Sequence, residues 1–320
     1  MTIEETLVGD TNQKPEQIER RRHLSDRAIV NLFIWPALLL LIAMNLFPLF
    51  YSLYLGFTDY SAIARQQPVW IGFQNFSNIL NDELLWKYFA TTGKFALLSV
   101  GLQTLVGFGL AMLVNEKFKG VGLITTLILI PMMLSPVVVG LFWKLMYNPT
   151  FGFFNFLLGF TNPRTGPDML ASRFAGNPVP GLALWAVVIV DVWMWSPFVM
   201  LLVLSGLKAI PDYLYEAAAI DRASSWFQFW RITLPQVAPL LLIAILFRTI
   251  EAFKAFDLVM GMTGGGPGDQ TELISVNIYR QAFLGQWRTG RASALAYIIL
   301  IIIIAVSNLY IRYLNQMKGE

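Results

Sequence analysis

Long, uninterrupted apolar runs dominate this chain, in place of the narrow 3.6-residue stripes of surface helices. Six stretches, near 29–53, 93–114, 121–143, 181–207, 236–257 and 292–314, are apolar with few charges. A helix needs about 20 mostly apolar residues to cross a hydrocarbon core of roughly 30 Å, and each stretch is long enough. The run Ile298-Ile299-Leu300-Ile301-Ile302-Ile303-Ile304-Ala305 is apolar on every side. A soluble protein would need amphipathic helices to cover such runs. The pattern therefore predicts an all-α membrane protein with six transmembrane helices over 28–320. Residues 1–27 mix Glu, Asp, Gln, Asn and Arg with little periodicity, which predicts a mostly disordered tail. No small-residue cleavage pattern follows the first apolar run, so it reads as a retained span.

The polar segments between the runs set an orientation. Short loops rich in Lys and Arg stay in the cytoplasm. The tail carries Lys14, Arg20, Arg21, Arg22 and Arg27, and the short connections carry Lys117, Lys119, Lys208, Arg222 and Arg231. Arg312 and Lys318 follow the last run. Both termini are thus expected inside. The opposite loops, about 54–92, 144–180 and 258–291, are longer and rich in Pro, Gly and aromatics. Trp70, Trp86 and Trp143 fall where indole rings anchor at the headgroup zone.

Composition narrows the chemistry. Hydrophobic residues make up 56% of the 320 and charged residues 13%, there is no cysteine, and the net charge is +3. Disulfides and thiolate metal sites are ruled out, and the single histidine, His23, has no second imidazole to share a metal with. No metal site and no nucleic-acid partner are expected; the basic residues read as topology determinants. Gly264-Gly265-Gly266-Pro267-Gly268-Asp269 lacks the Lys-Ser/Thr of a phosphate-binding loop. Any ATP hydrolysis therefore belongs to another chain.

The connection from Lys208 to Pro239 is unlike a simple linker. Pro211 suits a first helical turn, Leu214 to Ala219 favour helix, and Ser224 can cap a second helix bearing Trp226, Phe227, Phe229 and Trp230. Two short helices are expected, the second ended by Pro235. So much apolar surface outside a bilayer calls for a covering partner. This segment resembles the EAA loop of ABC importer permeases. That pattern is Glu-Ala-Ala, a Gly four residues after the second Ala, then Ile-x-Leu-Pro; Glu216, Ala217, Ala218, Ile232, Leu234 and Pro235 match it. The resemblance implies a coupling helix seated in a groove of an ATPase subunit, with Asp221, Arg222 and Ala223 at its turn. Arg222 stands where the family has Gly, so either the turn differs or Arg222 gains an ATPase contact; the second is preferred.

Further segments resemble the carbohydrate-uptake branch of those permeases, of the maltose and glycerol-phosphate type. They include Trp35-Pro36, Pro48, Gly72-Phe73-Gln74-Asn75-Phe76, Ile130-Pro131, Asn148 to Gly152, Trp193, Pro197, Lys208 to Pro211, Phe256-Asp257 and Thr263 to Pro267. The resemblance implies a permease subunit of a bacterial inner-membrane importer. It would work with a second six-span permease, an ABC ATPase dimer carrying ATP and Mg, and an extracytoplasmic solute-binding protein. It would hold no cofactor and no catalytic site of its own. It also implies a substrate pathway past Met132 and Pro136, past Asp191, Met194, Trp195 and Phe198, and past Glu251, Ala252 and Ala255. Arg248, Glu251, Lys254 and Asp257 place four ionisable groups in the fifth run, a costly composition for lipid. Glu251 and Lys254 are expected nearest the pathway, and Arg248 paired toward the partner permease or the second span.

Two other functions compete. A secondary transporter would show repeats and broken helices around a midplane ion site, and no convincing repeat is seen. A membrane enzyme would need a nucleophile, base or metal constellation, which a lone His23 does not supply. The substrate stays open: a trehalose-type disaccharide, a polyol, another glycoside, or an anionic sugar derivative countered by Arg248 or Lys254.

Overall fold

The computed structural model describes residues 25–63, 67–116, 118–160, 166–285 and 287–318. Lys14, Arg20, Arg21, Arg22, His23 and Lys117 lie outside them. The chain divides into two units at Tyr51 and Ser52. Helix α1 (Asp26–Gly56) carries Pro36 and Pro48 and is long and apolar enough from Val30 on to cross a membrane. The second unit contains α2 (Gln74–Leu80) and α3 (Glu83–Asn115). Next come α4 (Val121–Leu129), α5 (Pro136–Met146) and α6 (Phe153–Leu157). After them run α7 (Leu182–Ala209), α8 (Asp212–Ile220), α9 (Ser225–Gln228) and α10 (Leu234–Phe253). The chain closes with α11 (Asp257–Met262), α12 (Ile274–Phe283) and α13 (Thr289–Lys318).

Five helices among the described residues are long and apolar enough to cross a membrane: α1, α3, α7, a continuous Ser225–Phe253, and α13. A pair bent by 98°, Val121–Met133 and Pro136–Met146, passes the same test taken together and brings the number to six when counted as one broken span. The apolar stretch over 121–143 is thus built from two helical pieces. After α4, Pro131 opens a single 3-10 turn and Leu134 turns extended. Pro136 then forces the residue before it out of the helical region, and Ser135 sits at φ −67°, ψ 132°.

The fifth run is corrected. Helix α10 stops at Phe253, Phe256 adopts φ −133°, ψ −59°, and Asp257 opens a new helix. Ser275 donates a hydrogen bond to the Ala255 carbonyl inside this break. Nor is the second unit wholly helical. Three two-residue strands, β1 (Pro167–Asp168), β2 (Arg173–Phe174) and β3 (Asn177–Pro178), form a small antiparallel sheet in the order β1-β2-β3.

Helix α7 is the central post. In its most apolar stretch 61% of residues are buried, against 11% in α13. It packs along α3 and against α10, while α5 packs on α11 and α12 on α13. The approach of α7 to α3 depends on Gly107, where a Cβ would lie 2.6 Å from the Ser196 carbonyl and from Val199. One core cluster joins Phe95, Val139, Trp143, Val187, Met194, Ala252, Val259 and Met262. Trp143, expected as a surface anchor, is buried there and packs on Tyr147, Phe154 and Trp193. Trp70 and Trp86 are exposed.

The two ends of the bundle differ. At one end lie α2, α6, the sheet, α11 and α12, stapled by polar contacts. Gln270 Oε1 accepts from Ser172 Oγ at 2.7 Å and from the Gly181 amide at 3.0 Å. At the other end α8 sits beside the turn between α3 and α4. There Glu116, Lys208, Asp212 and Tyr215 line a shared cavity of about 760 Å³.

Candidate functional site

Within α7, Asp191, Trp195 and Phe198 recur at spacings of four and three, so they share one helix face. Arg248 and Glu251 are related in the same way on α10. Where these faces meet, Trp195, Phe198, Phe247, Arg248 and Glu251 line a cavity of about 240 Å³. The Arg248 guanidinium carbon lies 4.5 Å from the centroid of the Trp195 ring, within cation–π range.

Behind this cavity is a buried polar cluster. Arg248 Nη2 lies 3.4 Å from Asp191 Oδ2, with both side chains almost fully buried. Gln103, from α3, completes it. Its Nε2 donates to Asp191 Oδ2 at 2.6 Å and to the Asp191 carbonyl at 3.2 Å, and its Oε1 accepts from Arg248 Nε at 2.8 Å. One amide thus offers its donors to the anion and its acceptor to the cation. In hydrocarbon a charge without a partner is expensive, so the three residues tie α3, α7 and α10 together.

Of the pathway residues expected from sequence, the structure brings Trp195, Phe198 and Glu251 together at the cavity. Asp191, Met194 and Ala252 are buried in the chain's own packing. Lys254 lies in the break and reaches back to Glu251 Oε1 at 2.7 Å, both side chains more than half exposed. Ala255 is half-buried in the same break, and Met132 and Pro136 are half-buried at the bend of the third span. Neither Met132 nor Pro136 lines the cavity. Arg248 meets the second span through Gln103. Sequence reasoning missed Gln103 and Phe247, although an amide in an apolar run is itself a signal.

The second functional feature is the turn between α8 and α9. The Ala223 amide donates to the Ala218 carbonyl at 2.9 Å and the Arg222 amide to Ala219 at 3.1 Å. This pair of bonds closes a helix whose following residue is left-handed. Arg222 is that residue, at φ 54°, so the turn that Gly would favour is kept despite the side chain. Ser224 caps α9 by accepting from the Phe227 amide at 3.3 Å. Pro235 does not end this second helix. A π-helical turn, Phe229–Thr233, carries α9 straight into α10, and Pro235, lacking an N–H, leaves a carbonyl of that turn without its helical donor. Tyr215 and Thr233 hydroxyls lie 2.9 Å apart and join α8 to this turn.

Glu216, Ala217, Asp221 and Arg222 are exposed and Ala218 and Ala223 half-buried, while Tyr213, Ile220, Trp226, Phe227 and Trp230 present exposed apolar surface around them. Ile232 and Leu234 are half-buried, and Pro235 is exposed.

The glycine-rich turn is no phosphate cradle. Arg280 donates to the Gly264 carbonyl, Thr271 Oγ1 to the Gly266 carbonyl at 2.7 Å, and Glu272 packs under Gly265. Burial pushes the Glu272 carboxyl above its ordinary range, and the Arg280 charge beside it pulls the other way. Among the described residues no group of three or more His, Cys, Asp or Glu could hold a metal ion.

The family model for the binding-protein-dependent transport system inner membrane component matches residues 103–317. The chain belongs to this family. It is 33% identical over 281 residues to the trehalose/maltose transport system permease protein MalF of Thermococcus litoralis, covering 88% of this chain and 92% of that protein. It is 30% identical over 314 residues to the sulfoquinovosyl glycerol transport system permease protein SmoG of Agrobacterium fabrum, covering 98% of each. The fold matches a chain in the crystal structure of a bacterial ABC transporter that imports the acidic polysaccharide alginate. The TM-score is 0.75 at 20% identity, over 89% of this chain and 96% of that one. This protein is thus a multi-pass inner-membrane permease of an ABC importer, with no catalytic site of its own; ATP is used by the partner ATPase, and transport in this family depends on a binding protein.

Proposed function

We propose that the chain carries a carbohydrate across the inner membrane, past the cavity of Trp195, Phe198, Phe247, Arg248 and Glu251. That cavity is the observation that carries the reading. Sugar rings present an apolar C–H face that suits aromatic platforms, and their hydroxyls need a few placed polar groups; both kinds of group are present. The sugar substrates named for its relatives support the same reading. Met132, Pro136, Lys254 and Ala255 would flank the route, while Asp191, Met194 and Ala252 would support it from behind.

The α8–α9 turn would be the coupling element, with Glu216, Ala217, Ala218, Asp221, Arg222 and Ala223 facing the ATPase and Ile232, Leu234 and Pro235 joining it to α10. Its exposed apolar surface is what an ATPase groove would cover, and Arg222 would meet an acidic group there. This end, and both termini, would then be cytoplasmic. A second six-span permease would complete the pathway. ATP binding would favour one arrangement of the complex by binding that state better.

The test is ATPase activity of the reconstituted complex with its binding protein across a panel of sugars. Sugar-stimulated hydrolysis that Glu216→Ala weakens in fully assembled complexes is expected. Failure of the chain to associate with any ATPase would sink the coupling reading.

A further inference from the structure

Each charge at the candidate cavity is already met by another from the same chain. Arg248 faces Asp191 at 3.4 Å, and Gln103 holds both by hydrogen bonds. Glu251 faces Lys254 at 2.7 Å. Two cations and two anions cancel, and the remaining lining is Trp195, Phe198 and Phe247.

This balance has a cost for one class of substrate and none for another. An anionic group seeking Arg248 would have to draw it from Asp191, leaving a buried carboxylate uncompensated, which is strongly unfavourable. An anion seeking Lys254 would meet Glu251 on the same helix end, a like charge beside it. An uncharged glycoside disturbs neither pair. Its rings can lie against Trp195 and Phe198, and its hydroxyls can donate to the lone pairs of Glu251 that Lys254 leaves free.

Resting on the carbohydrate reading above, we propose that this site selects uncharged glycosides over carboxylated or sulfonated ones, with Asp191 serving as the built-in counter-ion of Arg248. Selection follows from charge already neutralised inside the chain, since a site built for an anion would leave a cation free to meet it.

The experiment uses the assembled complex in lipid nanodiscs, held by a non-hydrolysable ATP analogue, with the binding protein omitted so that the permease alone is read. Equilibrium binding is measured for trehalose, maltose and methyl glucoside, each beside its counterpart oxidised to the C6 carboxylate. At least one neutral sugar should bind ten-fold or more tighter than its carboxylate. Glu251→Gln, a change on an exposed side chain, should narrow that preference at least three-fold by uncovering Lys254. Equal or tighter binding of the carboxylates overturns the inference, as does a Glu251→Gln preference identical to the parent's. If no sugar of either kind binds, while the complex still answers its binding protein with ATP hydrolysis, the carbohydrate reading falls and this inference with it.

Discussion

The Asp191–Arg248 pair makes a quantitative prediction. At 3.4 Å, two unit charges attract by about 5 kcal/mol at an effective dielectric of 20. Removing one partner leaves the other buried and unmatched, which costs about 3–5 kcal/mol. Removing both leaves a neutral pocket, and replacement by apolar groups of similar volume is often neutral. Asp191→Leu and Arg248→Met should therefore each destabilise the protein severely, while the double variant recovers most of the loss. The coupling energy should be about 3 kcal/mol or more, far above the few tenths expected of independent sites. Gln103 keeps its bond to the Asp191 backbone carbonyl in all three variants but loses Asp191 Oδ2, Arg248 Nε or both, so the double variant should stop short of full recovery. The assay is denaturant titration of the purified complex in mild detergent, followed by size-exclusion monodispersity. Additive losses would show that the two charges do not need each other and would refute the reasoning.

Other consequences are narrower. Gly107→Ala must part α3 and α7 by roughly 0.8 Å and should cost about 1–3 kcal/mol, whereas Gly101→Ala, in the interior of α3 with open space around it, should hold or raise the melting temperature, Ala favouring helix over Gly by about 0.5–1 kcal/mol. Arg222→Gly removes left-handed strain of about 1–2 kcal/mol and should raise amide protection at the end of α8; unchanged protection would contradict the turn described. Because burial raises the proton affinity of Glu272 in the folded state, stability of the glycine-rich turn should be full below the ordinary Glu range. It should fall as pH rises through the raised value. Hydrogen exchange over 263–272, corrected for intrinsic rates, should show this, and Glu272→Gln should flatten it.

The positions of the spans were legible because lipid imposes a length and a composition on every crossing, and local sequence carries both. The bend in the third span was less so. Pro131 and Pro136 are visible, but an apolar stretch of that length also fits a straight helix, and only the backbone of Leu134 and Ser135 decides. The coupling turn was legible as a motif and as two helices. Its continuity with α10 was not, since a π-helical turn leaves no mark in the pattern and Pro235 reads as a stop. The partners within the polar cluster were not legible, for another reason. Gln103 and Arg248 are 145 residues apart and Asp191 and Arg248 57 apart, so no periodicity relates them. Of the row from Arg248 to Asp257, Arg248 was expected to pair toward the second span or the partner permease, and it meets Gln103 of the second span, while Glu251 and Lys254 pair with each other.

That continuity bears on how motion would reach the site. Ser225–Phe253 runs as one helical segment of 29 residues, about 43 Å at 1.5 Å per residue. Arg248 lies roughly 35 Å along it from Ser225 by the same rise. If the α8–α9 turn takes up the movement of the ATPase, a tilt of about 5° there shifts Arg248 and Glu251 by roughly 3 Å, given that lever length. A helix ending at Pro235 would have placed a joint in that path and lost the motion in it. The joint lies instead beyond the site, at Lys254 to Phe256, where α10 stops. Motion is then delivered at the cavity and absorbed just past it. Because Gln103 and Asp191 belong to α3 and α7, any shift of Arg248 must either carry those helices along or break a buried ion pair. The cheaper course is to move all three together, so the polar cluster makes the core of the bundle respond as a unit.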